Sequence, residues 1–229
     1  TCRSNNADIA KYLIENGANV NLQDKYGDTS LNLACKSYTN IDVVKYLVEN
    51  GADVNIKNND GQASLYQACG MSVNIDIVKC LVENGADVND QNQYGSTALH
   101  IACGIRDNID IVKCLVENGA DVNIRSSFNE IPLLLSYKYS DINSVKYLIE
   151  KGADINAEDE YGQTILFLAY KSNKIDIIKY LVDIGATFGQ DIENIYNLFQ
   201  QSPEYIRQQL QEFVENDDSC QYFPVSNIE

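Results

Sequence analysis

The sequence predicts an all-α fold, a solenoid of helix-turn-helix units joined by short β-hairpin loops. Three observations carry that reading. A glycine after the second apolar run of each unit recurs at Gly17, Gly51, Gly85, Gly119, Gly152 and Gly185, spaced 34, 34, 34, 33 and 33 residues apart. The stretch at 92–123, NQYGSTALHIACGIRDNIDIVKCLVENGADVN, returns in altered form at 24–55, 58–89, 126–156 and 159–185. Each copy also holds two apolar runs at helical spacing. A fixed period of this length marks an array of small units, each buried against its neighbours.

Taken in order, residues 1–23 read as the second half of a unit. Cys2 falls in the column of Cys35, Cys69 and Cys103, and Asp8-Ile9 matches Asp42-Val43 and Asp76-Ile77. A half-unit at the end of a stack exposes an apolar face, so at least one further half-unit is expected before it. Complete units follow at 24–57, 58–91, 92–125, 126–158 and 159–190. Within a unit, Leu31, Leu33 and Ala34 mark a short first helix with Thr29 as its N-cap, a role repeated by Thr97 and Thr164. The second helix carries an apolar face such as Ile41, Val43, Val44, Leu47 and Val48. Its aspartate (Asp42, Asp76, Asp110, Asp176) lies in the first turn, where the helix dipole favours negative charge. An Asn-Gly or Lys-Gly closes it, because glycine reaches the left-handed conformation without strain. An extended Ala-Asp-Val-Asn piece then enters a turn such as Asp24-Lys25-Tyr26-Gly27. The three units from 24 to 125 carry one extra residue between their helices, which predicts a longer turn at the rim.

Two units depart from the pattern. Ala63 stands where the cap threonine belongs, a loss of roughly 1 kcal/mol. In 126–158, Asn129 replaces the turn glycine and Ile131-Pro132 replaces Thr-X; asparagine tolerates positive φ, and proline suits the first helical turn. Local opening is therefore expected to begin in that unit or at the N-terminal end. Residues 191–215 leave the repeat but keep apolar residues at helical spacing, and read as a degenerate C-terminal cap, with a docking element as the alternative. Residues 216–229 are polar and acidic, and disorder is expected there.

Composition narrows the function. The formal net charge is −16, and residues 191–229 hold eight acidic side chains against Arg207. With no basic stripe there is no counterion-release term, so nucleic acid is not the expected partner. No apolar run approaches 18 residues, so no membrane span is expected. Of the seven cysteines, Cys35, Cys69 and Cys103 recur on the first helix of each repeat and Cys80 and Cys114 on the second. Equivalent residues of stacked helices lie roughly 8–10 Å apart, beyond the ~7 Å a disulfide spans. They read as small buried hydrophobes in a reducing, intracellular compartment, cytoplasmic or nuclear. A single histidine and the lack of a CxxC pair argue against zinc. Asp53-Val-Asn55 and Asp87-Val-Asn89 resemble the start of a calcium loop but lack its glycine and its closing acidic residue. No phosphate loop and no nucleophile–base arrangement is present, so no enzyme activity, cofactor, metal or small-molecule substrate is expected.

The motifs GxTxLxxAC and IDIVKxLVENGADVN, at a period of 33–34 over residues 1–190, resemble ankyrin repeats. The Thr-Pro-Leu-His tetrapeptide of that family survives only as Thr97-Ala98-Leu99-His100; Asn32, Tyr66, Leu134 and Phe167 stand in the histidine column elsewhere. That puts the tetrapeptide's hydrogen-bond network in question for those units, while His100 itself reads as a satisfied core residue.

The resemblance implies a protein-interaction scaffold, with another protein held in a concave groove of hairpin tips and first helices. Transferred position by position, the tips are Lys25-Tyr26, Asn59-Asp60, Gln93-Tyr94, Ser127-Phe128 and Glu160-Tyr161. Aromatic side chains bury much area at low entropic cost and dominate interface hot spots. The partner-binding candidates are thus Tyr26, Asp60, Tyr94, Phe128 and Tyr161 at the tips, with Tyr38, Met71, Ile105, Arg106 and Tyr139 on the inner rim. Lys36 and Lys171 belong to the same inner rim. The acidic background favours a partner with a basic segment. A second reading makes the chain the targeting arm of a larger enzyme or ubiquitin-ligase assembly. The resemblance further implies Asn55, Asn89 and Asn123 as targets of asparagine hydroxylation.

Overall fold

A computed structural model describes residues 7–36, 41–71, 74–139 and 142–188. The chain divides into two compact units, Thr1–Asp154 and Ile155–Glu229. Tyr38 and the stretch 191–229 lie outside the described residues, as does the Met71 side chain.

In the first unit the helices are α1 (Ala7–Glu15), α2 (Ser30–Cys35), α3 (Ile41–Glu49), α4 (Ser64–Met71), α5 (Ile75–Glu83), α6 (Ala98–Cys103), α7 (Ile109–Glu117), α8 (Pro132–Lys138) and α9 (Ile142–Glu150). Within each repeat the short first helix packs on the longer second one: α2 on α3, α4 on α5, α6 on α7 and α8 on α9. First helices also stack on first helices and second on second, giving two layers that share one core. Leu31, Ala34 and Cys35 of α2 face Val43, Val44 and Leu47 of α3, and all six are buried. The columns continue unit by unit through Leu65, Ile77, Leu81, Leu99, Ile111 and Leu115. A full leucine or isoleucine burial stabilises by about 2 kcal/mol, so repetition of one pattern builds the fold. The second unit contains α10 (Ile165–Lys171) packed on α11 (Ile175–Asp183), with Tyr170 tilted against Phe188 at a ring separation of 4.9 Å.

The caps form as the sequence predicts. Thr29, Thr97 and Thr164 each accept a hydrogen bond from the N–H three residues on. Asp42, Asp76, Asp110 and Asp176 sit in first turns. The closing glycines have φ between 81° and 91°. The hydrogen-bond network that the sequence puts in question outside His100 is kept in α2 by a different residue. Asn32 Oδ1 accepts from the Thr29 N–H and hydroxyl, and Nδ2 donates to Ser64 Oγ at 3.1 Å in the next unit.

The hairpin loops hold their shape with little strand pairing. Among the described residues the one β feature is an isolated bridge, Glu158 to Thr164. The expected extended piece instead pairs through side chains. Asn21, Asn55, Asn89 and Asn123 each donate an amide N–H to a glycine carbonyl of the next repeat, at Gly51, Gly85, Gly119 and Gly152, over 2.9–3.0 Å. Each amide oxygen accepts the backbone N–H two residues beyond that glycine, at Asp53, Asp87, Asp121 and Asp154, over 2.7–3.0 Å.

The buried thiols match the sequence reading. Cys35, Cys69, Cys80, Cys103 and Cys114 are buried and free, and desolvation pushes the Cys35 and Cys69 thiols well above their ordinary range. Ile9 and Leu13 of α1 are 45% exposed, whereas Val43 and Leu47, their equivalents in α3, are 1% exposed under the first helix of their own repeat.

Candidate functional site

The hairpin tips are built from the turn outward. The first residue of each turn folds its side chain back over the loop. Asp24 Oδ1 accepts from the N–H groups of Tyr26 and Asp28, and Asn58 Oδ1 from those of Asp60 and Gln62. Asn92 serves Tyr94 and Ser96 in the same way, and Asp159 serves Tyr161 and Gln163. Ser126 does so less tightly, at 3.3 Å to both Phe128 and Glu130. Such side-chain-to-backbone bonds fix a turn without help from a sheet. The column Asp24, Asn58, Asn92, Ser126, Asp159 was legible in the repeat, yet its role was missed, because asparagine and aspartate in a loop read first as solvated groups.

Adjacent tips are joined. The Asn59 N–H donates to Tyr26 O, Gln93 N–H to Asp60 O, and Ser127 N–H to Tyr94 O, at 3.0, 3.2 and 2.8 Å. This close approach demands glycine. A Cβ on Gly61 (φ 73°) would lie 2.9 Å from Gln93 N, and one on Gly27 would lie 2.7 Å from Asn59 N. Asn129 takes the left-handed conformation in its place, φ 58°, as expected.

The tips therefore hold Tyr26, Asp60, Tyr94 and Phe128 in one column on a fixed backbone. Tyr26, Tyr94 and Phe128 are 55%, 50% and 54% exposed, and Asp60 is exposed as well. Tyr94 and Phe128 stack, with centroids 6.3 Å apart and planes 26° from parallel. Lys25 lays its ammonium 4.8 Å from the centroid of the Tyr26 ring. In the second unit Tyr161 is exposed at its own tip.

The rim candidates behave differently from one another. Arg106 is exposed and its Nε donates to Tyr139 O at 3.2 Å, while the half-exposed Tyr139 ring lies beside Gly104. Ile105 is half-buried, so its apolar surface is partly spent on the fold. Two lysines run back along their first helices to acidic partners, Lys36 to Asp28 and Lys138 to Glu130, each at 2.7 Å. Lys36, expected on the inner rim, is held by its ion pair against its own repeat.

His100 is 1% exposed. Nδ1 accepts from the Thr97 N–H at 3.1 Å, which fixes the neutral tautomer with its proton on Nε2, and Nε2 then donates to Glu130 O at 3.1 Å. Burial lowers its pKa from the ordinary histidine value. This imidazole is a structural tie between two repeats. Among the described residues no group of three or more His, Cys, Asp or Glu is placed to hold a metal ion, and no helix is long and apolar enough to cross a membrane. The amides of Asn55, Asn89 and Asn123 are engaged at both ends in the ladder between repeats.

Paired helices, left-handed glycine closures and tied hairpins define a helical-repeat protein whose exposed tips carry aromatic side chains. The family model for ankyrin repeats matches in three copies, over residues 1–58, 52–126 and 104–193, and the chain belongs to that family. Proteins of this family are in general protein–protein interaction modules. A search of curated proteins found no similar relative.

Proposed function

We propose that the chain holds a segment of another protein across its hairpin tips and first helices. One observation carries this: Tyr26, Tyr94 and Phe128 are half exposed on a backbone that side-chain caps and inter-hairpin hydrogen bonds hold still. Folding gains little from leaving three large aromatics in water, whereas an interface gains their area with little entropy left to lose. The partner segment carries basic groups that complement a chain of net charge −16. Burial of free thiols at 35, 69, 80, 103 and 114 supports a reducing compartment as the place where this happens.

The test is a pull-down from the source cell with wild type beside the Tyr94→Ala/Phe128→Ala pair, followed by binding of the purified partner. Loss of more than about 2 kcal/mol of affinity with an unchanged unfolding curve is expected, since buried aromatic anchors dominate interfaces. A genuine partner that tolerates both substitutions overturns the assignment of this surface.

A further inference from the structure

Several cations on the tip and first-helix face of Thr1–Asp154 are already engaged. Lys36 pairs with Asp28, Lys57 with Asp90 and Lys138 with Glu130, and Lys25 sits over the Tyr26 ring. Asp60 is the opposite case. It occupies the column that holds Tyr26, Tyr94 and Phe128 in the neighbouring hairpins, and it is exposed. Its carboxylate has neither an ion pair nor a hydrogen bond among the described residues. Its backbone is fixed at both ends, the N–H on Asn58 Oδ1 at 3.0 Å and the carbonyl on the Gln93 N–H at 3.2 Å. A carboxylate is thus presented from a rigid frame, between the hairpins that carry Tyr26 and Tyr94.

The rings on either side are not equivalent. Tyr26 is already covered by Lys25, which shows a tip ring taking up a cation within the chain itself. Tyr94 stacks on Phe128 with centroids 6.3 Å apart, and its hairpin is tied to that of Asp60 by the Gln93 N–H donating to Asp60 O at 3.2 Å.

We propose that Asp60 and the face of Tyr94 turned away from Phe128 form the seat of an arginine side chain from the partner protein. This rests on the reading of the tips as the binding surface, and names what they bind. A guanidinium is planar, so it can fork onto the Asp60 carboxylate through two N–H groups while lying against the Tyr94 ring. Its attraction to the ring adds to the ion pair. A lysine ammonium is a compact point charge that cannot make the paired fork. The acidic field of the chain draws a basic segment in, and the Asp60–Tyr94 step sets where its arginine lands.

A random dodecapeptide library is to be selected on the whole immobilised chain, and the enriched peptides measured by fluorescence anisotropy. Wild type is compared with Asp60→Asn, Asp60→Glu, Tyr94→Ala and Asp110→Asn, the last making the same charge change on the second-helix layer. Arginine-containing peptides are expected. Asp60→Asn should weaken them by about tenfold, as expected for a lost charge-assisted pair. Replacing the peptide arginine with citrulline should weaken them equally, Asp60→Glu should retain binding, and Asp110→Asn should change little. Equal losses from Asp60→Asn and Asp110→Asn would overturn the seat, leaving only a general field. Peptides that need Tyr94 but ignore Asp60 and citrulline overturn this inference while the proposed surface stands. Peptides indifferent to Tyr94 and Asp60 alike, or a library with no enrichment, count against both.

Discussion

Asn32 and His100 occupy the same position of their repeats and close the same helix cap with different chemistry. The Oδ1 of Asn32 and the Nδ1 of His100 each accept the N–H of the cap threonine, Thr29 or Thr97, at 2.9 and 3.1 Å. Each side chain then donates across to the following repeat, Asn32 to Ser64 Oγ and His100 to Glu130 O. A short amide and an imidazole both place an acceptor and a donor at opposite ends of a flat group, and the cap asks for nothing else.

That equivalence predicts the behaviour of His100→Asn. At neutral pH the variant should keep the bond to the Thr97 N–H but lose the one to Glu130 O, because Pro132 stands where Ser64 receives the Asn32 amide, so a loss of about 1–2 kcal/mol is expected. The two should diverge on acidification. Burial holds the folded pKa of His100 below its unfolded value of about 6.5, so the unfolded chain takes up the proton first. Wild type therefore loses stability as pH falls below about 6.5, down to the folded pKa, and gains nothing above it. Urea unfolding from pH 7.5 to 5 checks this, and parallel curves for the two proteins would refute it.

Ala63→Thr should stabilise the second complete repeat by about 1 kcal/mol. Ala63 precedes α4 where Thr29 and Thr97 cap their helices, and a small pocket lined by Ala63, Leu65, Tyr66, Asp90 and Asn92 adjoins it. A threonine hydroxyl there would accept the Tyr66 N–H. A rise in the thermal midpoint is the readout; a fall would mean that the site has no room for the hydroxyl and methyl.

Ser136→Ala should also stabilise, again by about 1 kcal/mol. Ser136 is fully buried in the column of Ala34, Ala68, Ala102 and Ala169, and its hydroxyl has no hydrogen-bond partner. Removing an unsatisfied hydroxyl while keeping Cβ leaves the packing nearly intact. Chemical denaturation of the single variant measures it.

Asn89→Ala should cost about 1–2 kcal/mol, since it removes bonds to both Gly119 O and Asp121 N at a junction between repeats. Ser substitution should recover little, because its hydroxyl is too short to reach both groups. An unchanged denaturation midpoint would show that water replaces the ladder at no cost.

Hydrogen exchange should report earliest opening around α8 and its hairpin. Ile131 gives α8 no side-chain cap bond, Ser126 holds the turn at 3.3 Å where Asp24 and Asn92 hold theirs at 2.8–3.0 Å, and Ser136 is unsatisfied. Local opening follows such weak points. Uniform protection from α2 to α9 would contradict this.

The sequence by itself determined the repeat, its helices and its core. Leu31, Val43 and Leu47 recur at one spacing, and a side chain repeated at helical intervals beside a capping threonine and a closing glycine leaves the backbone few choices. Those signals are local or reach one neighbour, so they can be read along the chain. Tertiary structure decided what one repeat does to the next. That Asn32 can stand in for a histidine depends on Ser64 lying across the junction. That Asn55 and Asn89 tie repeats together, where loop asparagines read as solvated or modifiable groups, depends on glycine carbonyls 30 residues away. The candidate site divides in the same way. The aromatic residues at the tips were legible as residue types, but the stack of Tyr94 on Phe128, the pairing of Lys36 with Asp28 and the unpaired carboxylate of Asp60 were not. Those follow from the displacement that carries one hairpin onto the next, and that displacement is set by packing between units.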